Sequence, residues 1–164
     1  ETARLIMASG WQPRRTVRLI LWGSEELGLL GGRHYAEQHK NQLRRHVIAT
    51  ESDFGAGRIW QMTHSVNDAA KPLVELIGEL VAPLGVAPGA DDVRHSGPDL
   101  TPMIEAGMPG FRFTQDGSDY FDLHHTPDDT LDKIDPSNLD QNVAAYLVFT
   151  WLAAESEISD WGWQ

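Results

Sequence analysis

The chain of 164 residues contains no cysteine. That excludes a thiol nucleophile, a thiolate metal site and any disulfide, and it leaves the compartment open. Basic residues are scarce: 13 Lys and Arg stand against 24 Asp and Glu, a formal net charge of −11. Nucleic acid is therefore excluded as a partner, because phosphate binding needs a basic stripe. The nearest approach to one, Arg14, Arg15 and Arg18, is short and reads as a solvated entrance to a strand. No apolar run approaches the roughly 18 residues needed to span a bilayer. No signal-peptide pattern stands at the start. Neither a G-x-S-x-G elbow nor an H-E-x-x-H helix occurs, so two common hydrolase schemes are missing as well.

What is present is the balance of an ordinary globular domain, 41% hydrophobic and 23% charged. We expect one domain over residues 1–164, long enough for a core without staples. The chain opens on Glu1, and ETARLIMASG already reads as the inside of a helix. Thr2, Leu5, Ile6 and Ser9 share a stripe, with Gly10 and Pro13 as the stop. No capping residue precedes it, so the expectation is a fragment whose N-terminal part is missing.

Buried strands are expected at residues 17–22 (VRLILW), 46–50 (HVIAT) and 58–62, and an alternating one at 111–114. Helices are expected at 29–40, weakened by Gly31 and Gly32, at 69–81 and at 100–106. A last one opens at Pro136 and runs through Glu157. Leu73, Val74, Leu76, Ile77 and Leu80 form the apolar stripe of the 69–81 helix. Val143, Leu147, Val148, Trp151 and Leu152 form that of the last. Residues 82–98 and 116–135 read as loops. Strands alternating with helices predict an α/β three-layer sandwich, a mainly parallel or mixed sheet between helical layers.

In such folds ligands bind beyond the carboxyl ends of the strands. That rim receives Glu25 and Glu26 after the first strand, Asp53 after the second, and the loop FDLHHTPDDT with His124 and His125. Singly, each feature has an ordinary explanation. An acidic pair complements a helix start, Asp53 caps a turn, and HHTPDDT can close on its own backbone. His34 and His39 read as surface residues, His64 and His95 as loop residues without a named partner, and Trp151, Trp161 and Trp163 as packing.

Together, carboxylates and imidazole without sulfur suit a catalytic zinc. A metal explains the adjacent acids: one is neutralised by coordination while the other is free to take a proton from water. A two-carboxylate glycosidase fits the residue types but leaves the imidazoles without a role.

The blocks WGSEELGLLGGRHYAEQH, ESDFGAG, GPDLTPMIEAGMPGF and YFDLHHTPDDTLDKID occur in this order. They resemble the di-zinc exopeptidases that include bacterial leucyl-type aminopeptidases and plasma glutamate carboxypeptidase. The likeness covers most of residues 1 to about 153. By that resemblance Glu25 is the general base acting on water, Glu26 a ligand of one zinc, Asp53 a ligand of the other, and His125 the imidazole sharing a zinc with Glu26. The resemblance gives His124 no role. A further histidine and a bridging aspartate of the family lie before the first helix and are not in this sequence. Three of five protein ligands are therefore present, so zero or one zinc and weak or no activity are expected here, against two zincs in an intact enzyme.

The resemblance further implies a peptide substrate and export. An exposed sheet edge would favour a homo-oligomer. Two alternatives stay open: a non-catalytic binding or dimerisation domain of the same fold, and a single-zinc acyl transferase like the glutaminyl cyclases.

Overall fold

A computed structural model describes residues 1–90 and 96–164. Its centre is a mixed sheet of three strands, β1 (Ile59–His64), β2 (Ala87–Pro88) and β3 (Phe111–Gln115), in the order β2-β1-β3. Strand β1 runs parallel to β2, with Gln61 opposite Ala87, and antiparallel to β3, with His64 opposite Phe111. Along β3 the alternation FRFTQ puts Phe111, Phe113 and Gln115 inside, the period of two expected of a strand with one covered face.

Helices flank the sheet: α1 (Thr2–Ala8), α2 (Leu30–Gln38), α3 (Lys71–Val81), α4 (Thr101–Glu105), α5 (Tyr120–Leu123) and α6 (Pro136–Glu155). The fold is α/β, a mixed sheet flanked by helices. The larger core joins Ile59, Met62, Phe111 and Phe113 of the sheet to Val74, Ile77 and Val81 of α3 and to Ala145, Phe149 and Ala153 of α6. A smaller one gathers Leu43, Leu100, Met103 and Met108, with Tyr35 and Trp22 against it.

Several expected elements are redrawn. Residues 17–22 form no strand: their edges meet no ladder among the described residues, and Leu19 and Leu21 are 71% and 89% exposed. An apolar run becomes a buried strand only when neighbours pair with it and layers cover it; here neither happens. Residues 46–50 keep one parallel bridge, Ala49 with Gly110, closed by the Phe111 N–H donating to the Ala49 carbonyl at 2.9 Å. The 58–62 strand shifts to 59–64.

The stripe of α6 is the expected one in part: Val148 and Leu152 pack against the core. Trp151 is 42% exposed, whereas Gln141, Asn142, Ala145, Phe149, Ala153 and Ala154 face inward. Polar Gln141 is buried because it serves as a strand partner. Its Oε1 accepts from the Ile59 N–H at 2.9 Å, and its Nε2 donates to the carbonyls of Ile59 at 2.7 Å and Leu84 at 3.2 Å. These bonds satisfy β1 where its register with β3 shifts, between Ile59 and Gln61. In α3, Val74, Ile77 and Val81 are buried, while Leu76 and Leu80 stay exposed.

Two further features differ from expectation. The 116–135 loop contains α5 and a 3-10 turn at Leu131–Lys133. The 82–98 loop contains a 3-10 turn at Ala82–Leu84 and β2; its residues 91–95, including His95, lie outside the described residues. His64 ends β1, its Nδ1 accepting from the Val66 N–H at 3.4 Å. Of the tryptophans, Trp161 is fully buried, Trp163 donates from Nε1 to the His46 carbonyl, and Trp151 stacks on Trp11.

Candidate metal centre

Glu25 and Glu26 lie on a 3-10 turn, Glu25–Leu27, that precedes α2. Ser24 and Leu29 take left-handed φ values of 60° and 59° on either side of it, and Gly28 takes 104°. Non-glycine residues held there cost of order 1 kcal/mol each or more, so the surroundings must impose the turn. Gly23 does so from one side: its carbonyl accepts the Gly31 N–H at 3.0 Å. Gly32 does so from the other, because a Cβ at that position would lie 2.3 Å from the Asp99 carbonyl oxygen. The glycines that weaken α2 as a helix are what let it pack closely, Gly31 against Gly23 and Gly32 against Asp99. Both glutamates lie in the first turn of the short 3-10 helix, and no side-chain hydrogen bond caps it or α2.

Across 99 residues of sequence, His125 Nε2 meets Glu26 Oε1 at 2.5 Å. An ionised carboxylate only accepts, so the ring nitrogen donates. Both side chains are more than half exposed, at 57% and 64%, so the contact adds little to stability. It is a pair of ligand-type atoms held together at an open surface. His124 stands beside them, and the ligand atoms of Glu26, His124 and His125 all lie within 4.8 Å of one another. Oxygen with two imidazole nitrogens is a donor set that fits zinc.

Glu25 is half-buried next to this group. Burial first, then the charges of Glu26, Asp53 and Asp99, pushes its carboxyl above the usual carboxylate range, with His125 pulling the other way. Asp53 is exposed and lies close enough to act on Glu25, Glu51, Asp99 and Tyr120 by charge, yet it is not among the three clustered ligands. Of the residues singled out from sequence, Glu26 and His125 are in contact, Glu25 adjoins them, and Asp53 stands off.

His124, placed on the rim from the sequence but given no role, stands within the cluster. Two further features were not singled out from the sequence. The first is a buried polar layer beneath the rim, where Glu51 accepts from the Leu100 N–H at 3.1 Å and the Asp99 N–H at 3.4 Å. Asp99 is 2% exposed, and its Oδ1 has no partner among the described residues. The second is an aromatic column, Phe54 on Tyr120 on His124. The motif ESDFG held a signal for Glu51, an acid inside an apolar strand pattern; nothing local marked Asp99.

Comparison with known proteins bears on the same chemistry. Residues 1–150 match Peptidase family M28. Carboxypeptidase Q from Rattus norvegicus is 30% identical over 157 residues, covering 96% of this chain and 33% of that protein. Leupeptin-inactivating enzyme 1 from Streptomyces exfoliatus is 27% identical, covering 92% and 38%. The chain thus spans about a third of the length of these relatives. The crystal structure of a Peptidase M28 precursor from Shewanella amazonensis SB2B superposes with a TM-score of 0.92 at 46% identity, over 98% of this chain and 36% of that one. No helix among the described residues is long and apolar enough to cross a membrane. The matched span takes in the acidic turn, Asp53 and the paired histidines, and the chain belongs to Peptidase family M28.

Proposed function

We propose that this chain is a C-terminal portion of the catalytic domain of a zinc-dependent exopeptidase, and that Glu26 and His125 hold one of its metals with Asp53 reserved for another. The observation that carries the reading is the Glu26–His125 contact, two ligand-type side chains joined at an open surface with a second carboxylate, Glu25, beside them. Bound zinc supplies Lewis acidity toward a peptide carbonyl and makes water a better nucleophile near neutral pH.

The chain's own residues do the rest. Glu25 takes a proton from the attacking water and passes it to the nitrogen of the departing amine, so the peptide bond ends as a carboxylate and an amine. Its raised proton affinity suits a base that must give the proton back. Family membership supports peptides as substrates, and relatives named as a carboxypeptidase and as an enzyme inactivating leupeptin support cleavage near a chain end.

Glu25→Gln tests the role directly. In the intact enzyme, turnover of a terminal peptide substrate should fall by at least about 100-fold, the usual contribution of a positioned base, with bound zinc unchanged. Wild-type turnover in that variant would remove Glu25 from the mechanism. A second reading has one observation in its favour: the three clustered ligands serve a single ion, the need of a single-zinc acyl transferase. The product separates them, since a cyclised amine terminus would point to acyl transfer and a hydrolysed peptide to peptidase.

A further inference from the structure

Asp99 is 2% exposed, and the proposed function gives it nothing to do. We propose that Asp99 is a positioning residue for the acidic turn: it seats α2 and so sets where Glu25 and Glu26 stand. The proposal rests on the reading that these two glutamates serve the reaction.

The first observation is where Asp99 meets α2. Its carboxylate accepts the Gly32 N–H. Gly32 lies in the first turn of α2, where an N–H finds no partner within its own helix. The two backbones are close as well, since a Cβ on Gly32 would lie 2.3 Å from the Asp99 carbonyl oxygen. Just before it, the Gly31 N–H donates to the Gly23 carbonyl at 3.0 Å and the Leu30 N–H to the Ser24 carbonyl at 3.3 Å. The turn Glu25–Leu27 is therefore looped out between residues 23–24 and the start of α2, and α2 rests on Asp99. A shift of α2 carries both glutamates with it.

Asp99 is itself fixed from below. Glu51 accepts from the Asp99 N–H at 3.4 Å and from the Leu100 N–H at 3.1 Å, just before α4 begins. Gly97 packs against that carboxylate: a Cβ on it would lie 2.2 Å from Glu51 Oε2. The Tyr146 hydroxyl of α6 donates to the Glu51 carbonyl at 2.9 Å. A line of contacts thus runs from a core helix, through Glu51 and Asp99, to the turn that carries the acids. Reacting groups are held best when packed elements, and not their own exposed side chains, fix their place. Burying Asp99 with Oδ1 unpartnered works against stability, so the contact is poorly explained as a fold-stabilising one. It also means that a single acceptor oxygen does the seating.

The rival account is that Asp99 only helps the chain fold. Two variants of the intact protein, kept saturated with zinc and checked by circular dichroism, separate the two. Asp99→Ala removes the acceptor, whereas Asp99→Asn keeps one oxygen for the Gly32 N–H and puts an amide where Oδ1 stood. The proposal expects kcat for a terminal peptide to fall at least about tenfold in Asp99→Ala with KM little changed, since a misplacement of about 1 Å can cost more than that. Asp99→Asn should restore most of the rate. Wild-type kcat in a folded Asp99→Ala overturns the proposal, and so does an Asp99→Asn as slow as Asp99→Ala.

Gly32→Ala reaches the same seat without touching the carboxylate. Its Cβ pushes α2 off Asp99, so kcat should again fall with KM little changed, and wild-type kcat there would also overturn the proposal. Hydrogen exchange in the wild-type protein needs no variant to fold: the Gly32 amide should be protected, and exchange at the rate of an unstructured peptide contradicts the seat. Glu25→Gln is run alongside. If it keeps wild-type turnover, the reading of the glutamates fails rather than the role of Asp99 alone.

Discussion

At residue scale the account turns on side chains that break a local rule. His125, Ser24 and Leu29 adopt left-handed backbone that glycine would accept freely, and all three border the Glu26–His125 contact. Glu51 breaks another rule as a partly buried acid. Burial pushes its carboxyl up to about 7, the Leu100 N–H pulls it back, and the charges of Asp99 and Asp53 push again. The folded value lies above the unfolded one of about 4.3, so the folded state binds this proton more tightly. Its contribution to stability is therefore complete below about pH 4.3 and is lost as pH rises through about 7. Glu51→Gln never ionises, and its single carboxamide oxygen keeps one of the two backbone bonds, because the amide nitrogen only donates. In chelator, thermal melts should show the wild type losing about 1 kcal/mol, about 3 °C, relative to the variant as pH rises from about 4 to about 8. A difference between the two that stays the same across that range would mean that Glu51 does not carry this proton in the fold.

Elements were legible to different depths. The helix over residues 69–81, the last helix and the strand at Phe111 follow from periodicity and from Pro136 in the first turn of α6, which the structure shows capped by Asp135 accepting the Ser137 N–H. The orientation of α6 was legible only in part, through Val148 and Leu152, because hydrophobicity is a poor guide where a helix face hydrogen-bonds to backbone. Gln141 and Asn142 look like solvent residues until the open backbone of Ile59 and Gly57 is in view. Gln141→Leu has nearly the same shape and removes the side-chain partner of the Ile59 N–H and of the Ile59 and Leu84 carbonyls, the last of which keeps the Arg58 guanidinium. Denaturant unfolding should show a loss of about 2–4 kcal/mol, the cost of stranding buried polar groups. A loss below about 0.5 kcal/mol would mean that water replaces the carboxamide there. Residues 17–22 mark the opposite failure: the composition of a buried strand was plain, but pairing depends on neighbours that a local pattern does not contain.

At the scale of the whole molecule, the topology gathers what the sequence scatters. A 3-10 turn before α2 and a loop after α5 meet although 99 residues separate their ligands. The rim rule for open α/β sheets put both on one rim, His124 and His125 included, but it reached the acidic turn through a strand at residues 17–22 that the structure does not form. The chain belongs to Peptidase family M28, and its own residues offer an open carboxylate–imidazole group beside a half-buried glutamate. The measurement that tests this most directly is zinc bound per chain after equilibrium dialysis, for this chain, for the intact protein and for His125→Ala in the intact protein. The account expects two zincs on the intact protein, at most one on this chain and a clear loss in the variant. No zinc on the intact protein would contradict it and leave a binding domain built on a peptidase fold.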